Sequence, residues 1–148
     1  LTKIGAYAFA DTKLTEIVFP EQLKEIDDHA FYGCPNLTSV TMSPSVTDFG
    51  TSIFEGTPWD QNFAGDMMIF NGVLLSYRGN AASVVIPDGV TKIAAAAFKN
   101  NTALTQVTLP EGLRSIGDEA FFQCSNLTGI TFPSSLQSIG KQAFIAQR

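Results

Sequence analysis

An Ala-Phe pair, or its near equivalent, returns along the chain at Ala8-Phe9, Ala30-Phe31, Ile53-Phe54, Ala97-Phe98, Ala120-Phe121 and Ala143-Phe144. The phenylalanines stand 22, 23, 44, 23 and 23 residues apart, so one period governs the chain and one gap is nearly doubled. A fixed period of this length marks a solenoid, in which each repeat is one supersecondary unit stacked on its neighbours. The usual function of such folds is to present an extended surface and not to house a pocket of chemistry.

The other columns of the repeat say how a unit is built. Five residues before each Phe stands Ile4, Ile26, Phe49, Ile93, Ile116 or Ile139, and eight before it Leu1, Leu23, Val46, Val90, Leu113 or Leu136. After the Phe come Leu14, Leu37, Leu104 and Leu127, then Ile17, Val40, Val107 and Ile130, then Phe19, Met42, Leu109 and Phe132. The apolar-x-apolar ending has period 2 and predicts short strands near 15–19, 38–42, 83–86, 106–109 and 129–132. They are expected to pair in parallel, in chain order, with right-handed crossovers. Proline follows most of them, at Pro20, Pro87, Pro110 and Pro133, where its missing N–H costs no ladder bond. The return run, as in Leu113-x-x-Ile116-Gly117-x-x-Ala120-Phe121, is too short for a long helix and predicts an extended piece followed by one tight helical turn. No single unit can bury its own apolar columns. Stacking can, at roughly 1.5–3 kcal/mol for each fully buried side chain.

The doubled gap holds Gly56-Thr57-Pro58-Trp59 and then Met68-Ile69-Phe70-Asn71-Gly72-Val73-Leu74-Leu75. Asn-Gly between two apolar runs predicts a type I′ hairpin, here over about 66–77, because both central residues need positive φ. It is expected to dock on the solenoid's flank over Trp59, with a return turn at Arg78-Gly79-Asn80. The units then read 1–22, 23–45, 46–89 with the insertion over about 58–80, 90–112, 113–135 and a partial 136–148, all in one domain of 148 residues. In the last unit Phe-x-x-Cys becomes Phe144-Ile145-Ala146-Gln147, which reads as a degenerate cap or a boundary.

The unit Leu113-x-x-Ile116-Gly117-x-x-Ala120-Phe121-x-x-Cys124-x-x-Leu127-x-x-Ile130-x-Phe132-Pro133 resembles the BspA-like, or Treponema-type, leucine-rich repeat. The fold class is thus a leucine-rich-repeat-type right-handed superhelix, β-rich with short helical turns, plus one inserted hairpin. The resemblance also implies a secreted or surface-displayed protein of the kind linked to adhesion to host proteins, host cells or other microbes. Proline after the strand departs from ordinary leucine-rich repeats and speaks against long convex helices.

A net charge of −5 argues against nucleic acid and against an anionic membrane surface as partners. No apolar run approaches the roughly 18 residues of a membrane span. Cys34 and Cys124 share one column three steps apart, about 14 Å in a parallel stack, while a disulfide needs Cα atoms within about 7 Å. Both read as free buried thiols packing as small apolar groups.

Catalytic signals are weak. His29 sits in a column otherwise filled by Tyr7, Ser52, Ala96, Glu119 and Gln142, so it reads as solvent-facing, and Asp27-Asp28-His29 does not read as a metal site. Ser138-Ile139-Gly140-Lys141 has the spacing of a serine–lysine pair, but the partner motifs of that class are missing. Asn36-Leu37-Thr38 and Asn126-Leu127-Thr128 are sequons at one repeat position. No phosphate loop or zinc spacing is present, and no cofactor or enzymatic activity is expected.

The expected function is a non-catalytic extracellular or cell-surface binding module for protein ligands, including host proteins. A spacer or tiling segment without a ligand of its own is the alternative. The outward strand positions Glu16, Val18, Ser39, Thr41, Gln106, Thr108 and Thr131 form the expected sheet surface, beside Ser83, Val85 and Gly129. Trp59, Tyr77 and Arg78, residue types favoured at hot spots, mark a second candidate in the insertion.

Overall fold

The computed structural model describes residues 1–144, and the proposed cap residues Ile145–Gln147 lie outside them. The chain forms two compact units, Leu1–Gly65 and a second beginning at Asp66. Each is a β-solenoid stack.

In the first unit, β1 (Lys3–Ile4), β3 (Glu25–Ile26) and β5 (Asp48–Phe49) pair in parallel, and so do β2 (Glu16–Val18) and β4 (Ser39–Thr41). Ile4 lies opposite Ile26 and Ile26 opposite Phe49, so residues one period apart become neighbours. Leu23, Ile26, Phe31, Leu37 and Val46 are fully buried between the turns. The third turn has no strand matching β2 and β4. In its place stands α1 (Pro58–Gln61), capped by Thr57, whose hydroxyl accepts from the Asp60 N–H at 3.0 Å and donates to the Phe54 carbonyl at 2.7 Å. Proline at the helix start and an acid in its first turn favour nucleation at that point.

The second unit opens with β6 (Met67–Phe70) and β7 (Val73–Tyr77), the expected antiparallel hairpin. Asn71 and Gly72 have φ of 55° and 78°, as a type I′ turn requires. Its placement differs from the expectation. The hairpin is not merely set on the flank: β7 pairs in parallel with β9 (Lys92–Ile93), which continues to β11 (Ser115–Ile116) and β13 (Ser138–Ile139). The second ladder of this unit runs β8 (Ser83–Val85), β10 (Gln106–Thr108), β12 (Gly129–Thr131), all parallel. The parallel pairing and chain order follow the repeat, but the outward strands form two ladders, one in each unit.

The Phe column becomes an aromatic stack. Phe9, Phe31 and Phe54 lie with successive ring centroids 5.3 and 5.6 Å apart in the first unit. Tyr77, Phe98, Phe121 and Phe144 follow at 5.1, 4.8 and 5.1 Å in the second. Near-parallel offset rings at this spacing gain about 0.5–1.5 kcal/mol per pair beyond burial.

The expected helical turn around Ala-Phe is not a helix. It is a pair of tight turns broken by a left-handed residue two before the Phe: Tyr7, His29, Ser52, Ala96, Glu119 and Gln142 all have φ between 53° and 61°. A second left-handed column follows two after the Phe, at Asp11, Gly33, Gly56, Asn100 and Gln123. The chain therefore turns back sharply enough to fit two ladders and a corner into one period.

Candidate functional site

The predicted sheet residues all reach the surface of their ladders. On the first, Glu16 lies opposite Ser39 and Val18 opposite Thr41, each exposed. On the second, Gln106 sits between Ser83 and Gly129, and Thr108 between Val85 and Thr131. Val18 and Val85 are each 64% exposed, the most open apolar side chains of the two faces. Between β10 and β12 runs an open groove of about 350 Å³, edged by Glu111 and Phe132. Glycine at 129 opens it, because a Cβ there would lie 3.2 Å from Gln106 Cγ. The structure brings Gln106, Thr108 and Thr131 together in this groove, and Glu16, Val18, Ser39 and Thr41 together on the first unit's ladder.

The insertion residues part company. Trp59 belongs to the first unit, where α1 packs its ring against Phe54 at 4.8 Å and Phe63 at 5.5 Å, beside a shallow groove that includes Thr38. Tyr77 belongs to the second unit and is a member of the aromatic stack. Its hydroxyl accepts the Ala81 N–H at 3.3 Å, and its ring covers Gly79 so closely that a Cβ there would collide with it. Arg78 is exposed, and its N–H closes the hairpin base on the Asp66 carbonyl at 2.7 Å.

Both cysteines are free and fully buried. They do more than fill space: Cys34 Sγ donates to the Phe9 carbonyl at 3.1 Å and Cys124 Sγ to the Phe98 carbonyl at 3.0 Å. Each thiol thus satisfies the corner carbonyl of the preceding turn. Burial pushes the Cys124 thiol above its usual range, against a smaller opposing effect of a backbone hydrogen bond from Asn101. Such a thiol is a poor nucleophile. Glu25 first, then Asp27, hold the Lys3 ammonium above its ordinary range, through ion pairs at 3.2 and 3.8 Å on the surface. Among the described residues no group of His, Cys, Asp and Glu could hold a metal ion, and no helix is long and apolar enough to cross a membrane.

His29 corrects the sequence reading. It is half-buried, not simply solvent-facing, with its ring parallel to Tyr7 at 4.7 Å and edge-on to Tyr32 at 5.3 Å. Its Nδ1 is buried without a protein partner. The available signal was the pairing of Tyr7 and His29 in one column of successive units, with Tyr32 three residues further on.

Parallel ladders of two or three residues, a stacked Phe column and corner turns once per period define a leucine-rich-repeat solenoid. The chain belongs to the BspA-type leucine-rich repeat family, whose model matches six copies over residues 1–63 and 74–147. The match resumes at Leu74, the hairpin residue that pairs with Ile93.

Similar solved structures are bacterial. The pneumococcal vaccine antigen PcpA is 26% identical, with a TM-score of 0.52, over 92% of this chain and 44% of that one. A leucine-rich cell surface protein from Faecalibacterium prausnitzii is 22% identical, with a TM-score of 0.55, over 96% and 48%. The T. pallidum leucine-rich repeat protein is 22% identical, with a TM-score of 0.52, over 99% and 70%. This chain thus spans less than half of the first two. No curated protein matches it.

Proposed function

We propose that the chain is a non-catalytic, extracellular or surface-displayed module that binds protein ligands, host proteins among them. The observation that carries this reading is the pair of solvent-open parallel ladders, whose outward positions are aligned in register and polar except for Val18, Val85 and Gly129. Such faces offer hydrogen bonds and close backbone access, and repeat proteins use extended surfaces of this kind for recognition. The groove over Gln106, Thr108 and Thr131 is the first candidate contact area, and Ser39 with Thr41 the second. Surface display is supported by family membership and by the description of the F. prausnitzii relative as a cell surface protein.

The test is binding of the immobilised chain to a panel of purified extracellular-matrix and serum proteins. It is compared with a variant carrying Ser39→Glu, Gln106→Glu and Thr108→Glu. Saturable binding that the variant loses is expected. No binding to any panel member would leave a spacer as the better reading.

A further inference from the structure

The corner turns of the first unit carry a surface that the ladders do not. Tyr7, His29 and Tyr32 form one continuous aromatic cluster, with Tyr7 58% and Tyr32 38% exposed. Three exposed carboxylates belong to the same turns. Asp28 precedes His29, and its backbone carbonyl accepts the Tyr7 N–H at 3.1 Å. Asp11 donates its N–H to the Tyr32 carbonyl at 2.8 Å and lays its carboxylate over Gly33. Glu55 accepts the Gly33 N–H on its own carbonyl at 2.8 Å and follows Phe54 as Tyr32 follows Phe31. The turn segments 5–12, 27–34 and 50–57 contain no Lys or Arg.

The charge of the molecule is divided in the same sense. The first unit has nine acidic residues against three basic ones, and the second five against six. All of the net negative charge therefore belongs to the first unit.

Two further facts bear on these side chains. The left-handed corner position holds Ser52, Ala96, Glu119 and Gln142 in the other turns, so its backbone geometry does not call for the rings of Tyr7 and His29. The rings also lie largely outside the buried aromatic stack, so the packing of the Phe column does not account for them. Aromatic faces are negative at their centres and attract ammonium and guanidinium groups, and Tyr is a favoured hot-spot residue.

We propose that the turn face formed by Tyr7, His29 and Tyr32, with Asp11, Asp28 and Glu55, docks a Lys- or Arg-bearing segment of a protein partner. Rings and carboxylates are spread over three successive turns, about 5 Å apart per step. That spread suits an extended segment with several cations better than one small ion. The proposal rests on the protein-binding reading above and moves its anchor from the ladders to the turns.

The probe is a fluorescein-labelled peptide of alternating Lys and Gly, titrated into the full chain and followed by anisotropy at low and at physiological salt. Saturable binding is expected, weakened about tenfold in the double variant Tyr7→Leu/Tyr32→Leu, which keeps apolar bulk and removes the ring faces. Tyr7→Phe/Tyr32→Phe should bind as the parent does, and Asp28→Asn/Glu55→Gln should weaken binding without touching the rings. Glu21→Gln/Asp48→Asn removes equal charge from exposed positions elsewhere in the unit and should leave the affinity within about twofold.

Equal weakening by both charge pairs with no effect of the leucine variants would mean a diffuse acidic field and would overturn the site. So would a parent chain that fails to bind the peptide. If the parent captures a panel protein in a manner sensitive to Gln106 and Thr108 but ignores the peptide, the turn-face site fails and the protein-binding reading stands. Peptide binding through the rings with no panel protein captured sinks the broader reading and keeps the site.

Discussion

Tyr77 lies flat on Phe98, with ring centroids 5.1 Å apart, and donates its backbone N–H to the Ala97 carbonyl at 2.9 Å. Phe98 repeats both contacts on Phe121 and Ala120. Tyr77 is therefore the Phe of a turn that the doubled gap conceals, standing 23 residues after Phe54 and 21 before Phe98. Truncating it should be costly: Tyr77→Ala is expected to destabilise the fold by about 2 kcal/mol. Tyr77→Phe should change it by less than about 0.5 kcal/mol. Urea denaturation of the three proteins checks this, and an alanine variant as stable as the parent would make the hairpin mere filler.

Gly5 and Gly117 occupy the same column but face different surroundings. A Cβ on Gly117 would lie 2.5 Å from Ala95 N and 2.8 Å from Ala94 C, whereas one on Gly5 would meet nothing within 4 Å. Gly117→Ala should therefore destabilise by about 1–3 kcal/mol through overpacking against a backbone that cannot move aside. Gly5→Ala should be neutral or slightly stabilising. Thermal melts of the pair read the contrast directly, and equal effects would show that turn spacing is not set by this contact.

Ala96 has φ of 61° and Ala95 lies outside the positive-φ set. Replacing Ala96 with glycine relieves left-handed strain of about 1–2 kcal/mol and loses somewhat less through unfolded-chain entropy. The expected result is a small gain in melting temperature. Ala95→Gly should lower it, since only the entropic effect remains. A fall in both would contradict the assigned corner geometry.

Cys124 links stability to alkaline pH. Its thiol is held above the ordinary range when folded, so the folded chain keeps the proton more tightly than the unfolded one. The stabilisation is complete below the unfolded thiol value of about 8.5 and is lost as pH rises through the higher folded value. Cys124→Ser keeps a donor for the Phe98 carbonyl and does not ionise, so its stability should fall less between neutral pH and about pH 10. Denaturation midpoints across that range decide it, and identical slopes would count against the buried-thiol account.

Period, columns, parallel pairing and the hairpin were legible in the amino-acid order because each has a local or strictly repeating cause. A stacked turn must bury the same positions each time, and Asn71-Gly72 carries its own turn chemistry. The free thiols were legible too, since the repeat sets them in one column of turns that are not adjacent.

Other features depended on three-dimensional register. Three residues separate the inward Leu74 from Tyr77, where five separate Ile93 from Phe98, so spacing alone hid the extra turn until β7 paired with β9. The non-glycine corners at Tyr7 and His29 break the usual preference of backbone with positive φ, and no local pattern announces them. The Tyr7–His29–Tyr32 cluster joins side chains from two successive turns, and the outward strand residues sort into separate ladders through pairing between distant segments. Sequence by itself determined which columns are buried, because burial repeats with the period, although Leu1, Phe9, Phe132 and Ile139 of those columns are exposed. Which exposed side chains meet one another was decided only when turns about 23 residues apart were brought to within one strand spacing.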